Sequence, residues 1–265
     1  MQPSIPNLLT PILAVMCATY FIAWLALVMR RQRIGYVFFG VGWLANAGLF
    51  IFNWVAAGEP PFGNMYHVQI VLALCFLPLY LMAARQLAFT WTACFFAFAS
   101  GLPLLGAIFM EKNVGWQRMA VLQSPWFVPH VLSYMIGYAL CTVAFVMTLA
   151  KWIRLKILHQ EDVSRYRTAI TVVLRLSFPF MTFGMLSGAL WAEEAWGAYW
   201  SWDAKETWSL ITWMLYVIYF HCLTRKPLRR FAEPAQILAF MALLTTFFLV
   251  NLLPKLGSVL HSYAR

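Results

Sequence analysis

Runs of about twenty mostly apolar residues, broken by short polar or basic stretches, recur along the whole chain. Each run is long enough to cross roughly 30 Å of hydrocarbon as a helix. Spans are predicted at about 8–29, 34–56, 67–84, 88–110, 126–150, 172–192, 207–224 and 233–253. Helices are the natural choice, because hydrocarbon offers no partners to backbone N–H and C=O groups and nothing here alternates like barrel strands. The first span does not read as a cleavable signal peptide: it lacks a basic leader, its apolar run is long, and no small-residue cleavage site follows. The expected architecture is an all-α, polytopic membrane helical bundle of about eight transmembrane helices. Residues 1–265 are read as a single integral membrane domain, with no internal repeat and no soluble domain.

Composition supports this class. Hydrophobic residues make up 63% of the 265 and charged residues only 11%, too few charges to clothe a soluble surface. The net charge is +10, and its placement matters more than its size. Arg30, Arg31 and Arg33, then Arg85, then Lys151, Arg154, Lys156, Arg165, Arg167 and Arg175, then Arg225, Lys226, Arg229 and Arg230 all follow odd-numbered spans. Only Lys112, Arg118, Lys205, Lys255 and Arg265 fall on the other side. The positive-inside rule then puts both termini outside the cytoplasm. The basic excess is a topology signal, not a nucleic-acid footprint. The segment near 151–171, "KWIRLKILHQEDVSRYR", reads as a short interfacial helix between spans.

The five cysteines, Cys17, Cys75, Cys94, Cys141 and Cys222, all fall within predicted spans. No Cys-x-x-Cys pair exists, so thiol redox chemistry and covalent haem attachment to this chain have no motif. Each cysteine reads as a small packing residue.

Between spans six and seven, on the predicted outer side, lies a segment (191–208) with Trp191, Trp196, Trp200, Trp202 and Trp208, followed by Trp213. An interfacial aromatic belt accounts for one or two such residues at a helix end. It accounts less well for six indoles mixed with Glu193, Glu194, Asp203 and Glu206. The spacing Asp203-x-x-Glu206 ahead of an apolar run is a capping box for span seven. A capped helix start is also a rigid mount for a binding surface.

Clustered indoles suit a flat, apolar, polarisable ligand such as a porphyrin, and haem iron takes axial ligands, most often His. His130, in "LQSPWFVPHVLSY", begins span five. His261, in "NLLPKLGSVLHSYA", follows span eight. Both are predicted on the face that carries the tryptophans. His221 lies about 14 residues into span seven, roughly 21 Å from its outer start, where an ionisable group is a functional candidate. His159 sits in the basic loop and reads as solvated. His67, after "PPFGNMY", is open between a helix-end polar residue and a further ligand.

"WGAYWSWDAKETWSLITWMLYVIYFH" resembles the signature of the WWD-domain haem-handling proteins, and within them the CcsA (ResC) type of the system II cytochrome c synthase. The resemblance covers residues from about 60 to the end. It implies that Trp196, Trp200, Trp202, Asp203 and Trp208 hold haem b, with His130 and His261 as ligands of an outer haem iron. His221 is implied as ligand of an inner iron, with a second ligand from a partner. It further implies a CcsB/ResB-like subunit, an apocytochrome c with a Cys-x-x-Cys-His segment, a thiol-reducing partner protein and a lipid bilayer. The membrane expected is the bacterial inner membrane in preference to the thylakoid. The expected role is cytochrome c biogenesis, as a component of a holocytochrome c synthase (haem lyase). No residue reads as a certain acid–base catalyst. Two departures stand out: Ala204 replaces the usual Pro after the aspartate, and His67 stands where Glu is usual. Other readings are a haem chaperone or exporter of the CcmC type, a b-type electron-transfer subunit, and a transporter with an aromatic lid.

Overall fold

The structure is a computed structural model that describes residues 5–114, 122–160 and 162–249. Among these residues the regular structure is helical, with no strand. Eight α-helices run in chain order: α1 (Ile5–Val28), α2 (Gln32–Ala57), α3 (Met65–Gln86), α4 (Ala93–Phe109), α5 (Phe127–Lys156), α6 (Ser164–Trp196), α7 (Ala204–Thr224) and α8 (Arg229–Leu244). A π-helical turn, Thr245–Leu249, continues α8. Each predicted span has its helix. Seven are long and apolar enough to cross a membrane; α7 is not among them. The reason lies in its sequence: Trp208, Ser209, Thr212, Trp213, Tyr216, Tyr219 and His221 replace aliphatic positions.

The chain forms two compact units, Met1–Gln117 and Arg118–Arg265. In the first, α1 packs on α2 and α4, and α3 packs on α2 and α4, which closes a four-helix ring. Its polar residues satisfy backbone that lipid could not: Trp43 Nε1 donates to the Leu74 carbonyl at 2.9 Å and Asn46 Nδ2 to that of Ile70 at 3.2 Å. Cys17 Sγ donates to the Gly101 carbonyl at 3.4 Å. None of the five cysteines is in a disulfide.

In the second unit α5 packs along α6, α6 on α7, α7 on α8 and α8 on α5, a second closed ring. Aromatic pairs tie its walls. Phe145 stacks on Phe240 at 4.2 Å between α5 and α8, and Phe178 stacks on Trp213 at 5.3 Å between α6 and α7. Trp213 Nε1 also donates to Thr182 Oγ1 at 2.9 Å. Toward the other end of α5, buried Lys151 pairs with Glu233 of α8, which also accepts from Trp152 Nε1.

Two predicted boundaries move. The segment near 151–171 holds no interfacial helix of its own. α5 runs to Lys156 and α6 starts at Ser164, so only a short loop separates them. Lys151 explains much of this: paired with Glu233, its charge can stay on a packed helix, so α5 need not stop there. At its far end α6 runs on to Trp196 and stops at Gly197, whose φ of 75° is left-handed and whose N–H donates to the Glu193 carbonyl at 2.9 Å. Trp191, Glu193, Glu194 and Trp196 are thus helical rather than part of a loop.

Candidate functional site

The α5 start and the α6 end meet at one end of the second unit. His130 lies in the first turn of α5, and its Nδ1 is 2.7 Å from the Gly184 carbonyl oxygen of α6. A carbonyl can only accept, so Nδ1 carries a hydrogen, and in the neutral ring the lone pair is then on Nε2, the arrangement that suits metal ligation. The imidazole centroid lies 5.6 Å from Trp191, with the planes 36° apart. Trp191 is fully buried and in turn meets Phe127 at 5.4 Å and Trp196 edge-on at 5.2 Å. A continuous run of rings therefore leads from His130 to the first tryptophan of the 196–202 segment. Ser124 reinforces the junction: its Oγ donates to the Glu194 carboxylate and accepts from the Trp126 N–H at 3.1 Å.

Beyond Gly197 the chain turns through residues 198–203 into α7. Trp200 and Trp202 pack edge-on at 5.8 Å. The Trp200 indole N–H is buried with no acceptor among the described residues. Trp202 is 69% exposed and holds a φ of 60°, a left-handed conformation that a bulky residue seldom adopts. Neighbouring Tyr199 is exposed too. The capping box forms as its spacing predicts: the Glu206 N–H donates to Asp203 Oδ1 at 2.8 Å, and the Asp203 N–H to Glu206 Oε2 at 3.3 Å. Glu206 Oε2 takes the Ser201 N–H as well, at 2.7 Å, so one carboxylate braces the turn from both sides. Trp208 sits one turn into α7, half-buried, its carbonyl accepting from Thr212 Oγ1 at 2.8 Å.

The structure thus gathers His130 with Trp191 and Trp196, and sets Trp200, Trp202, Asp203 and Trp208 on the turn and helix start that follow. His221 does not join them. It is exposed near the opposite end of α7, roughly 26 Å along the helix from Ala204. His261 lies outside the described residues. His67 belongs to the other unit, in the first turn of α3, where its N–H donates to the Asn64 N-cap at 2.8 Å. Its ring is fully buried, and neither ring nitrogen has a hydrogen-bond partner among the described residues. His159 is exposed, as expected of the basic loop.

Sequence reasoning did not single out Gly184, Gly188 or Tyr134, all of which touch His130. The available signal was the Gly184-x-x-x-Gly188 spacing, which lets a neighbouring helix approach closely. In kind, these residues suit a planar porphyrin: an imidazole beside the Trp191 indole at the α5 start, and on the turn that follows α6 an exposed indole at Trp202.

Comparison with known proteins follows the same lines. The family model described as "Cytochrome C assembly protein" matches residues 5–257. The chain is 31% identical over 252 residues to the cytochrome c biogenesis protein CcsA of Chlamydomonas reinhardtii, covering 89% of this chain and 69% of that protein. It is 31% identical over 270 residues to the CcsA of Eucalyptus globulus subsp. globulus, covering 82% of each. Among solved structures, the cytochrome c heme lyase CcmF superposes with a TM-score of 0.69 at 17% identity, a likeness of fold. The match covers 94% of this chain but 48% of CcmF, about half its length.

Proposed function

This chain belongs to the cytochrome c assembly protein family, and we propose that it receives haem b as a substrate and holds it at the Trp191–Trp208 segment for covalent attachment to an apocytochrome c. The observation that carries this reading is the run of rings from His130 through Trp191 to Trp196, with His130 Nδ1 tied to a backbone carbonyl. A ligand histidine anchored through its second nitrogen is the usual way a protein fixes imidazole aim and raises its basicity. In this reading His130 Nε2 binds the iron on one side and His261 on the other, while Trp196, Trp200, Trp202 and Trp208 cover the macrocycle. The buried indole N–H of Trp200 is a donor for a carboxylate of the bound substrate. Asp203 holds the start of α7 in place and takes no proton.

Two imidazoles leave the iron no open position for oxygen. An incoming Cys-x-x-Cys-His segment replaces one of them with its own histidine, which brings its thiols beside the vinyl groups. Each thiol S–H adds across a vinyl double bond: sulfur bonds one carbon, hydrogen the other, and no net electron is lost. The chain's contribution is proximity and orientation, worth up to about 7–11 kcal/mol in ideal cases. The thiols must arrive reduced, hence a thiol-reducing partner. His221, at the far end of α7, serves an inner haem site completed by a CcsB/ResB-like subunit. In this reading α7 is the eighth span, both termini face outward, and the membrane is the bacterial inner membrane.

The test is spectroscopic. The chain, co-expressed with its partner under haem-replete conditions and purified in mild detergent, is expected to show a bis-histidine, b-type spectrum on dithionite reduction. His130→Ala/His261→Ala should lose or alter it. A colourless wild type sinks the proposal.

A further inference from the structure

The α6 face opposite His130 is cut to the shape of the imidazole. A Cβ on Gly188 would lie 2.6 Å from both Nδ1 and Cε1 of His130, and 3.6 Å from Nε2. Real Cβ atoms do not approach so closely, so the ring rests its Nδ1–Cε1 edge where a side chain would be. Nε2 is the ring nitrogen that stands further off the helix. One turn earlier Gly184 supplies the carbonyl for Nδ1–H, which also accepts from Ser187 Oγ at 3.2 Å. A Cβ on Gly184 would meet the Tyr134 ring at 3.1 Å. Tyr134 fills that space, its ring perpendicular to that of His130 at 5.1 Å and 90°. Trp191 bounds the imidazole from the next turn of α6.

The Nδ1–Cε1 edge of the ring is therefore set by α6, and Trp191 of α6 and Tyr134, seated on Gly184, bound it. We infer that Gly188 and the Gly184 carbonyl are the positioning elements of His130: the missing side chain opens its seat, and the carbonyl selects the tautomer whose Nε2 binds haem iron. This rests on the haem reading above. Neither glycine touches the haem in it; both act through His130. A methyl group at 188 pushes the ring off its seat and away from the carbonyl, so aim and tautomer are lost together. Loss of such an outer hydrogen bond usually lowers metal affinity about 10–100-fold.

The experiment uses the full chain, labelled with 15N-histidine in lipid bilayers, at a pH where imidazoles are neutral. The His130 resonances are assigned by their loss in His130→Gln. Haem affinity is titrated in parallel. The haem-free wild type should show His130 with its hydrogen on Nδ1. Gly188→Ala should lose that preference and bind haem about 10–100-fold more weakly. Gly40→Ala is the control: its Cβ would meet nothing within 4 Å, and it should change neither readout. A wild type that binds haem through His130 yet carries the hydrogen on Nε2 overturns the inference alone. So does a Gly188→Ala variant that keeps both tautomer and affinity. A wild type that binds no haem overturns the function reading beneath it. Should Gly188→Ala fail to accumulate, the wild-type tautomer still decides.

Discussion

Trp202 carries two opposed demands in one residue. Its backbone sits at φ 60°, where an L side chain costs about 1–2 kcal/mol, and its indole is largely exposed, where burial gives nothing back. Such strain persists when the surroundings over-determine it, and it clusters at functional places. Trp202→Gly relieves the strain but adds freedom to the unfolded chain, for a net gain of roughly 0.5–1 kcal/mol. The same change removes an indole from the proposed haem cover. The expected outcome is a higher thermal unfolding midpoint with haem affinity lowered several-fold. If stability rises and haem binding is untouched, Trp202 has no part in the cover. Asp203 behaves differently. Asp203→Ala removes the N-cap of α7 and costs about 1 kcal/mol, whereas Asp203→Asn keeps an acceptor and should be near neutral. Thermal melts of the two variants side by side check this. An equal loss in both would give the carboxylate charge a role beyond the cap.

At the scale of elements, α5 joins the two ends of the second unit. Its start supports His130, and toward its other end Lys151 meets Glu233 of α8. Lys151 is buried and Glu233 only partly so, so removing the carboxylate leaves a cation with no ready route to water. Glu233→Met is expected to cost about 3–5 kcal/mol, and Lys151→Met completes the singles. Lys151→Met together with Glu233→Met should cost far less, since neither then leaves a lone buried charge. The double-mutant cycle read from unfolding in detergent decides it. Full additivity would mean the pair contributes nothing. Because the pair lies far along α5 from His130, haem affinity should be nearly unchanged in the double variant.

For the whole molecule, the positive-inside pattern predicts an orientation that can be probed directly. Single cysteines placed at His159 and Tyr199, in a background without the five native ones, should react from opposite sides of the membrane. Position 199 is expected to label with an impermeant thiol reagent added outside intact cells, and position 159 only after lysis. Labelling of both from one side would mean that α6 does not cross, and the predicted topology would fall. The eight helices were legible because hydropathy is a local sum over about twenty residues, and no tertiary contact is needed to exclude charge from lipid. The capping box at Asp203 and Glu206 was legible for the same reason: both partners lie within one turn. The reach of α6 to Trp196 was less so. Glu193 and Glu194 interrupt the apolar run, and their helical state is secured by neighbours such as Ser124, seventy residues away.

The sequence by itself determined the all-helical membrane class, the number of helices and the cap of α7, and it marked the candidate histidines and tryptophans. Each is written in composition or in spacings shorter than a helix. Only the tertiary structure decided which of those residues meet. It joined His130 to Trp191 and Trp196 and put His130 on the bare backbone of Gly184 and Gly188. The physical reason is that the register between α5 and α6 is set by side-chain packing along the full length of two helices. That register is a sum of many small contacts, and no short stretch of sequence states it.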